Sequence, residues 1–183
     1  MTGTGLRLLR REVLYQGKVF DLVVERVVLP SGREAVREVA RHPGGAVVVA
    51  LFDDGTVLLV EQLRYPLGER VVELPAGKLD PGETPAEAAA RELEEETGYR
   101  AGRFTPLLSF YTTPGFCDEH LHLFLATDLE ALDGGPRREE AESSMTLRRL
   151  RLQEALELVD QGRIKDAKTI IGLMVASRKM PAL

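Results

Sequence analysis

The sequence predicts a mixed α/β architecture, a mixed sheet covered by helices, and three observations predict it. Short apolar runs of strand length fill the first two-thirds of the chain. One helix with clearly marked ends interrupts them at residues 84–97, and helical spacing of Leu, Ile, Val and Met returns near the C-terminus. The order strands, helix, strands, helices suits a sheet with helices packed on it. Taken in order, strands are expected at 19–29, 46–52, 56–62, 107–111 and 120–127, with a late strand at 145–150. Pro30-Ser31-Gly32 and Asp53-Asp54-Gly55 lie between runs and supply the residues that tight hairpins need, so two antiparallel hairpins are expected. Helices are expected at 153–161 and 167–179, and a mobile loop around 133–140. Residues 1–45 read as a small N-terminal β-extension and 46–183 as the main domain.

Composition narrows the function. With 24 basic against 29 acidic side chains and a net charge of −5, nothing favours attachment to nucleic acid or an anionic membrane, so an anionic ligand must be met by local groups. No apolar run approaches the roughly 20 residues that cross a bilayer. The single cysteine, Cys117, forms no internal disulfide, and the first residues show no cleavable apolar stretch, so a cytoplasmic location is expected. His42, His120 and Cys117 carry no convincing ligand pattern and read as structural.

The informative segment is residues 77–99, GKLDPGETPAEAAARELEEETGY. Thr84 and Glu87 form a capping box, Pro85 takes the first helical position, and Gly98 ends the helix in the left-handed conformation. At about 100° per residue, Ala86, Ala89, Ala90 and Leu93 share a sector expected to face the sheet. Glu92, Glu95 and Glu96, spaced i, i+3 and i+4, share a neighbouring sector, so three carboxylates converge. Arg91 lies beside them, can pair with Glu95 or Glu87, and is the residue expected to orient the cluster. From Glu spacing alone, a solvated helix face is the commoner reading. Glu83 and the loop from Gly77, which add a carboxylate and backbone carbonyls, turn the balance toward a cation site. Oxygen-only ligands suit Mg²⁺ or Mn²⁺ rather than zinc.

These residues resemble the whole Nudix box, G-x5-E-x7-R-E-U-x-E-E-x-G-U, with Gly77, Glu83, Arg91, Glu92, Leu93, Glu95, Glu96 and Gly98 in register and Tyr99 in place of the final aliphatic residue. The resemblance implies a Nudix-type α/β/α sandwich that binds divalent cations and hydrolyses a nucleoside diphosphate linked to another group. Pro114, in SFYTTPGFCDEHLHLFLA, together with VEQLRYPLGERVVELPAGKL and Asp166-Ala167-Lys168-Thr169, is similar to the ADP-ribose pyrophosphatase subfamily. What this implies is a Mg²⁺-dependent (or Mn²⁺-dependent) pyrophosphatase that converts ADP-ribose, or a similar ADP-sugar, to AMP and a sugar phosphate. The alternatives are the same fold acting on another nucleotide sugar or an oxidised nucleotide, and a non-catalytic ADP-ribose sensor. The intact box and the absence of a basic recognition helix speak against a sensor.

Carried over by resemblance, the Ala76 carbonyl and Glu92, Glu95 and Glu96 hold the metals, and Arg91 supports them. Arg64 and Glu73 contact substrate, Arg gripping a diphosphate through paired N–H donors and Glu accepting from hydroxyls or an amine. Pro114, Gly115 and Phe116 line the substrate site. Arg37 and Glu38 resemble a pair that reaches the substrate of the other subunit, so a homodimer formed through residues 1–45 is expected. Glu140 and Glu142, in an acidic loop before the late strand, are the candidates for the general base and an additional metal ligand.

Overall fold

The computed structural model describes residues 5–138, 140 and 144–179. Among these residues ten strands and three helices follow one another as β1 (Arg7–Gln16), β2 (Asp21–Val28), β3 (Glu34–Arg41), β4 (Gly45–Leu51), β5 (Thr56–Arg64), β6 (Glu69–Glu73), β7 (Ala76–Lys78), α1 (Pro85–Thr97), β8 (Tyr99–Tyr111), β9 (His120–Ala131), β10 (Thr146–Arg151), α2 (Leu152–Asp160) and α3 (Ala167–Lys179). The chain divides into two compact units. One comprises the described residues up to Gly44 together with Tyr111–His120, and the other Gly45–Phe110 with the described residues from Leu121 onward.

In the first unit β1, β2 and β3 form an antiparallel sheet in that order. Val23, Glu25 and Val27 alternate inward along β2. The buried Glu25 carboxylate accepts from Arg11 Nε at 2.6 Å and Arg41 Nη2 at 2.8 Å, and Arg41 Nη1 reaches Asp118 at 2.9 Å. Every residue of β1 is exposed, Leu8, Val13, Leu14 and Tyr15 among them.

The second unit is a seven-stranded mixed sheet with the order β10-β5-β4-β9-β8, to which β6 adds on β5 and β7 on β4. The central β4 pairs antiparallel with β5 and parallel with β9. Its run GAVVVAL is buried throughout because both faces of the strand are covered. Ala46, Val48 and Ala50 meet Ala88, Ala89 and Leu93 of α1 on one face. Val47, Val49 and Leu51 meet Leu152, Ala155, Leu173 and Ala176 of α2 and α3 on the other. The result is the expected α/β/α sandwich. Among the described residues no helix is long and apolar enough to cross a membrane.

Helix α1 forms as its local signals require. The Thr84 side chain accepts from the Glu87 N–H while the Glu87 carboxylate accepts from the Thr84 N–H at 2.8 Å, and Pro85 opens the first turn. Gly98, at φ 72°, closes it, donating its N–H to Glu94 O at 2.9 Å. Thr84→Ala removes one half of this reciprocal cap and is expected to cost about 1 kcal/mol in a denaturant melt. The buried arc departs from expectation. Ala86, on the first turn, is exposed, and Ala90 is only partly covered. Burial runs instead through Ala88, Ala89, Glu92, Leu93, Glu96 and Thr97. The helix is therefore rolled toward its carboxylates, and two of them face inward.

Candidate active site

The cluster on α1 is organised by Arg91. Its Nε donates to Glu83 Oε1 at 2.8 Å and its Nη2 to Glu83 Oε2 at 2.9 Å and to Lys78 O at 2.9 Å. Its Nη1 donates to Glu92 at 2.7 Å and to Glu95 at 3.2 Å. One guanidinium thus ties the loop before the helix to two carboxylates on it, and the Glu83 bonds above all raise its pKa. The same contact holds the Glu83 carboxyl below the usual range. Of the two partners expected for Arg91, Glu95 is found and Glu87 is not, because Thr84 engages the Glu87 carboxylate.

Glu92 and Glu96 are 8% and 2% exposed. They follow each other at i and i+4 on the face of α1 that packs on the sheet, and the Ala76 N–H donates to Glu96 Oε2 at 3.1 Å. Glu95 is half-buried. Among the described residues no three His, Cys, Asp or Glu side chains are gathered so that they could hold a metal ion. The donors present nevertheless fit Mg²⁺ in kind. That ion keeps several waters and is bound through one or two carboxylates plus substrate phosphates, not by an all-protein cage. Two buried carboxylates beside the Ala76 backbone supply such a set. Gly77 is required for space: a Cβ there would overlap the Glu92 carboxylate.

Strands β5 and β6 pair Arg64 with Glu69 and Val60 with Glu73, and their side chains close a second polar group. Arg64 Nε and Nη2 both donate to the Glu73 carboxylate at 2.7 Å, and Lys168 of α3 reaches the same group. Glu73, expected to face substrate, is 2% exposed and has both oxygens engaged. Burial alone pushes its carboxyl up, but the bonds from Arg64 and Lys168 outweigh burial and hold it below its ordinary value of 4.5. The native state therefore releases a proton that the unfolded chain retains near that value. The resulting stability is present above pH 4.5 and is lost as the pH falls through the folded value. Thermal melts between pH 6 and pH 3 are expected to fall more steeply for the wild type than for Glu73→Gln; parallel curves would show that this carboxylate carries none of the acid sensitivity.

Arg37 and Glu38 are exposed on β3 of the first unit. Pro114, Gly115 and Phe116 belong to that unit too, in a turn fixed by Phe116 N–H to Thr113 O at 3.2 Å and Ala40 N–H to Phe116 O at 2.8 Å. The Phe116 side chain is 60% exposed. Glu140 is exposed, and Glu142 lies outside the described residues.

Two contributions were missed by sequence reasoning. Arg137 donates its backbone N–H to Glu95 O at 2.9 Å, and Arg138 Nε donates to Glu96 O at 2.8 Å, so residues before the acidic loop cap the C-terminal carbonyls of α1. The last turn of α1 has no basic residue of its own, and this cap comes from 42 residues away. Lys168 was quoted only within a resembling segment, and its contact with Glu73 spans 95 residues.

Comparison with known proteins identifies the family. The NUDIX domain model matches residues 41–170. The chain is 43% identical to the ADP-ribose pyrophosphatase of Bacillus subtilis (strain 168), over 94% of this chain and 93% of that protein. It is 39% identical to the ADP-ribose pyrophosphatase of Mycobacterium tuberculosis (strain ATCC 25618 / H37Rv), over 89% of this chain and 79% of that one. A crystal structure described as an ADP compounds hydrolase superposes with a TM-score of 0.81 at 21% identity, covering 94% of this chain and 92% of the other, and so shares the fold. With its box residues in register from β7 through α1 to the start of β8 and the domain match spanning most of its length, the chain belongs to the NUDIX family.

Proposed function

We propose that this protein hydrolyses the diphosphate bridge of ADP-ribose to AMP and ribose phosphate, with Mg²⁺ bound at Glu92, Glu96 and the Ala76 carbonyl and with Glu95 as a further ligand. The observation that carries the reading is the pair of nine-tenths buried carboxylates, Glu92 and Glu96, held beside Ala76 on the buried face of α1. Burying two like charges is costly, and a site that offsets them with divalent cations gives that cost a purpose. The relatives named for ADP-ribose support this substrate. When bound, the cations offset the charge of the diphosphate and lower the pKa of a water molecule.

Arg91 keeps Glu92 and Glu95 in place and locks the preceding loop onto the helix. Arg64, anchored on Glu73, offers its remaining N–H donors to a phosphate oxygen. In the hydrolysis itself, the water oxygen bonds to one phosphorus, the P–O bond of the bridge breaks, and the proton passes to a carboxylate of the acidic loop, Glu140 or Glu142. Phe116, with its ring exposed beside Pro114 and Gly115, supports a role in enclosing the nucleotide.

A homodimer is part of the proposal. The exposed Leu8, Val13, Leu14 and Tyr15 of β1 form an apolar surface on an edge strand, which a second copy would cover. In that assembly Arg37 and Glu38 of one copy reach the substrate of the other. Light scattering on the purified protein should give twice the chain mass.

The test is a substrate panel of ADP-ribose, other ADP-sugars, GDP-mannose and oxidised dGTP, followed by ³¹P NMR with Mg²⁺ and with chelator. ADP-ribose is expected to yield AMP and ribose phosphate fastest, and chelator is expected to stop the reaction. Faster turnover of GDP-mannose or oxidised dGTP would refute the substrate, and undiminished turnover in chelator would refute the metal.

A further inference from the structure

The first turn of α3 is closed onto the end of β6 by a ring of polar contacts. The Leu74 N–H donates to Thr169 Oγ1 at 2.8 Å, and the Thr169 N–H and hydroxyl donate to Asp166 Oδ2 at 3.0 and 2.6 Å. Lys168 Nζ reaches Asp166 Oδ1 at 3.0 Å and also Glu73 Oε2, which returns the ring to the residue before Leu74. Thr169 is wholly buried, and Lys168 keeps 14% of its side-chain surface. The same carboxylate takes a two-pronged contact from Arg64, whose Nη2 shares Oε2 with Lys168 while its Nε holds Oε1. Arg64 Nη1 has no partner among the described residues. Arg64, Glu73, Asp166 and Lys168 all line one cleft of about 870 Å³.

Two cations and two carboxylates balance in this group. A lysine with 14% of its side-chain surface left gives up hydration and rotamer freedom, so its position is not that of a solvated surface charge. Without its ammonium, Glu73 would rest on Arg64 alone, and the group of Arg64, Glu73 and Asp166 would carry a net negative charge. Arg64 would then be divided between the buried carboxylate and the ligand, with no second cation to hold Glu73 still.

We infer that Lys168, steadied by Asp166, is a positioning residue that fixes the Glu73 carboxylate and through it the Arg64 fork, leaving Arg64 Nη1 for a phosphate oxygen of the substrate. The inference rests on the reading of Arg64 as a diphosphate contact given above. Lys168 itself need not touch substrate, and its effect is transmitted through Arg64.

The experiment is a double-mutant cycle on ADP-ribose hydrolysis with Lys168→Met, Arg64→Met and the double variant, with Lys168→Arg as the rescue. Loss of ground-state binding raises KM and spares kcat, so Lys168→Met is expected to raise KM about tenfold with kcat within about twofold of wild type. In the Arg64→Met background the same substitution is expected to change kcat/KM by less than about twofold, because the residue it acts through is already gone. Lys168→Arg should recover most of the lost affinity. Should Lys168→Met fold poorly by circular dichroism, Asp166→Asn, which keeps an oxygen for the Thr169 cap but releases the ammonium, is expected to raise KM in the same direction. An equal loss of kcat/KM with and without Arg64, or an unchanged KM in Lys168→Met, would overturn the role. A wild type that leaves ADP-ribose intact would instead overturn the underlying reading, and the role of Lys168 with it.

Discussion

Glu96→Gln is expected to lower kcat about a hundred- to a thousandfold while leaving the fold intact, the scale seen when charge stabilisation central to a transition state is removed. The substitution is nearly isosteric. Its amide oxygen can still accept the Ala76 N–H bond that Glu96 Oε2 accepts at 3.1 Å, so the packing of α1 on β7 has no reason to change. What disappears is a negative charge at a position 2% exposed, where no outside carboxylate can replace it. A neutral amide is a weak ligand for a hard cation. Measured by initial rates at saturating Mg²⁺ and by thermal melts, the variant should keep a melting temperature at or above that of wild type, since a buried charge has been removed. Near-normal turnover would take Glu96 out of the site.

Gly77→Ala is the second large effect, and it separates function from stability in a different way. Gly77 does not need a left-handed backbone; it needs room, because a Cβ would fall on the Glu92 carboxylate. That carboxylate is the far end of a flexible side chain, and it can swing aside at a modest cost of about 1–3 kcal/mol in packing. It cannot swing aside and stay in place as a ligand. It would also lose the 2.7 Å bond to Arg91 Nη1, and with it the alignment of Glu95, which shares the same nitrogen at 3.2 Å. Turnover is expected to fall at least about a hundredfold with the protein still folded, since small displacements of catalytic groups are costly. A variant with wild-type kcat would show that Glu92 tolerates displacement and is not a fixed ligand.

Legibility in the sequence followed the range of the interactions. The helix α1 was readable to the residue because its cap, its Pro85, its Gly98 and its carboxylate spacing are all local. Strands β4 and β5, apolar runs joined by Asp53-Asp54-Gly55, fall within two residues of their expected bounds, and α3 is found over the residues expected. Strand β1 was missed because two irregularities, between Leu8 and Arg10 and between Val13 and Tyr15, break the alternation that would have announced it. Strands β6 and β7 were missed because they are five and three residues long and are defined by pairing to β5 and β4 rather than by their own pattern. β8 begins eight residues before the expected strand, in YRAGRFTP, whose Gly102 and exposed polar residues read as a loop. At the site, the box residues were legible as a unit. The inward roll of Glu92 and Glu96 was not, because the three alanines point to a buried face that only contact with the sheet selects. The engagement of Glu73 by Lys168 joins positions 95 residues apart and leaves no trace in local spacing.

The central claim is that the acidic face of α1 binds divalent cation against a nucleotide diphosphate. The most direct test is anomalous diffraction from crystals grown with Mn²⁺ and a non-hydrolysable ADP-ribose analogue. Manganese peaks coordinated by Glu92, Glu96 and the Ala76 carbonyl, with phosphate oxygens completing their shells and one bonded to Arg64, are the predicted result. Analogue bound with no metal at these residues, or metal and nucleotide together at another surface, would contradict it.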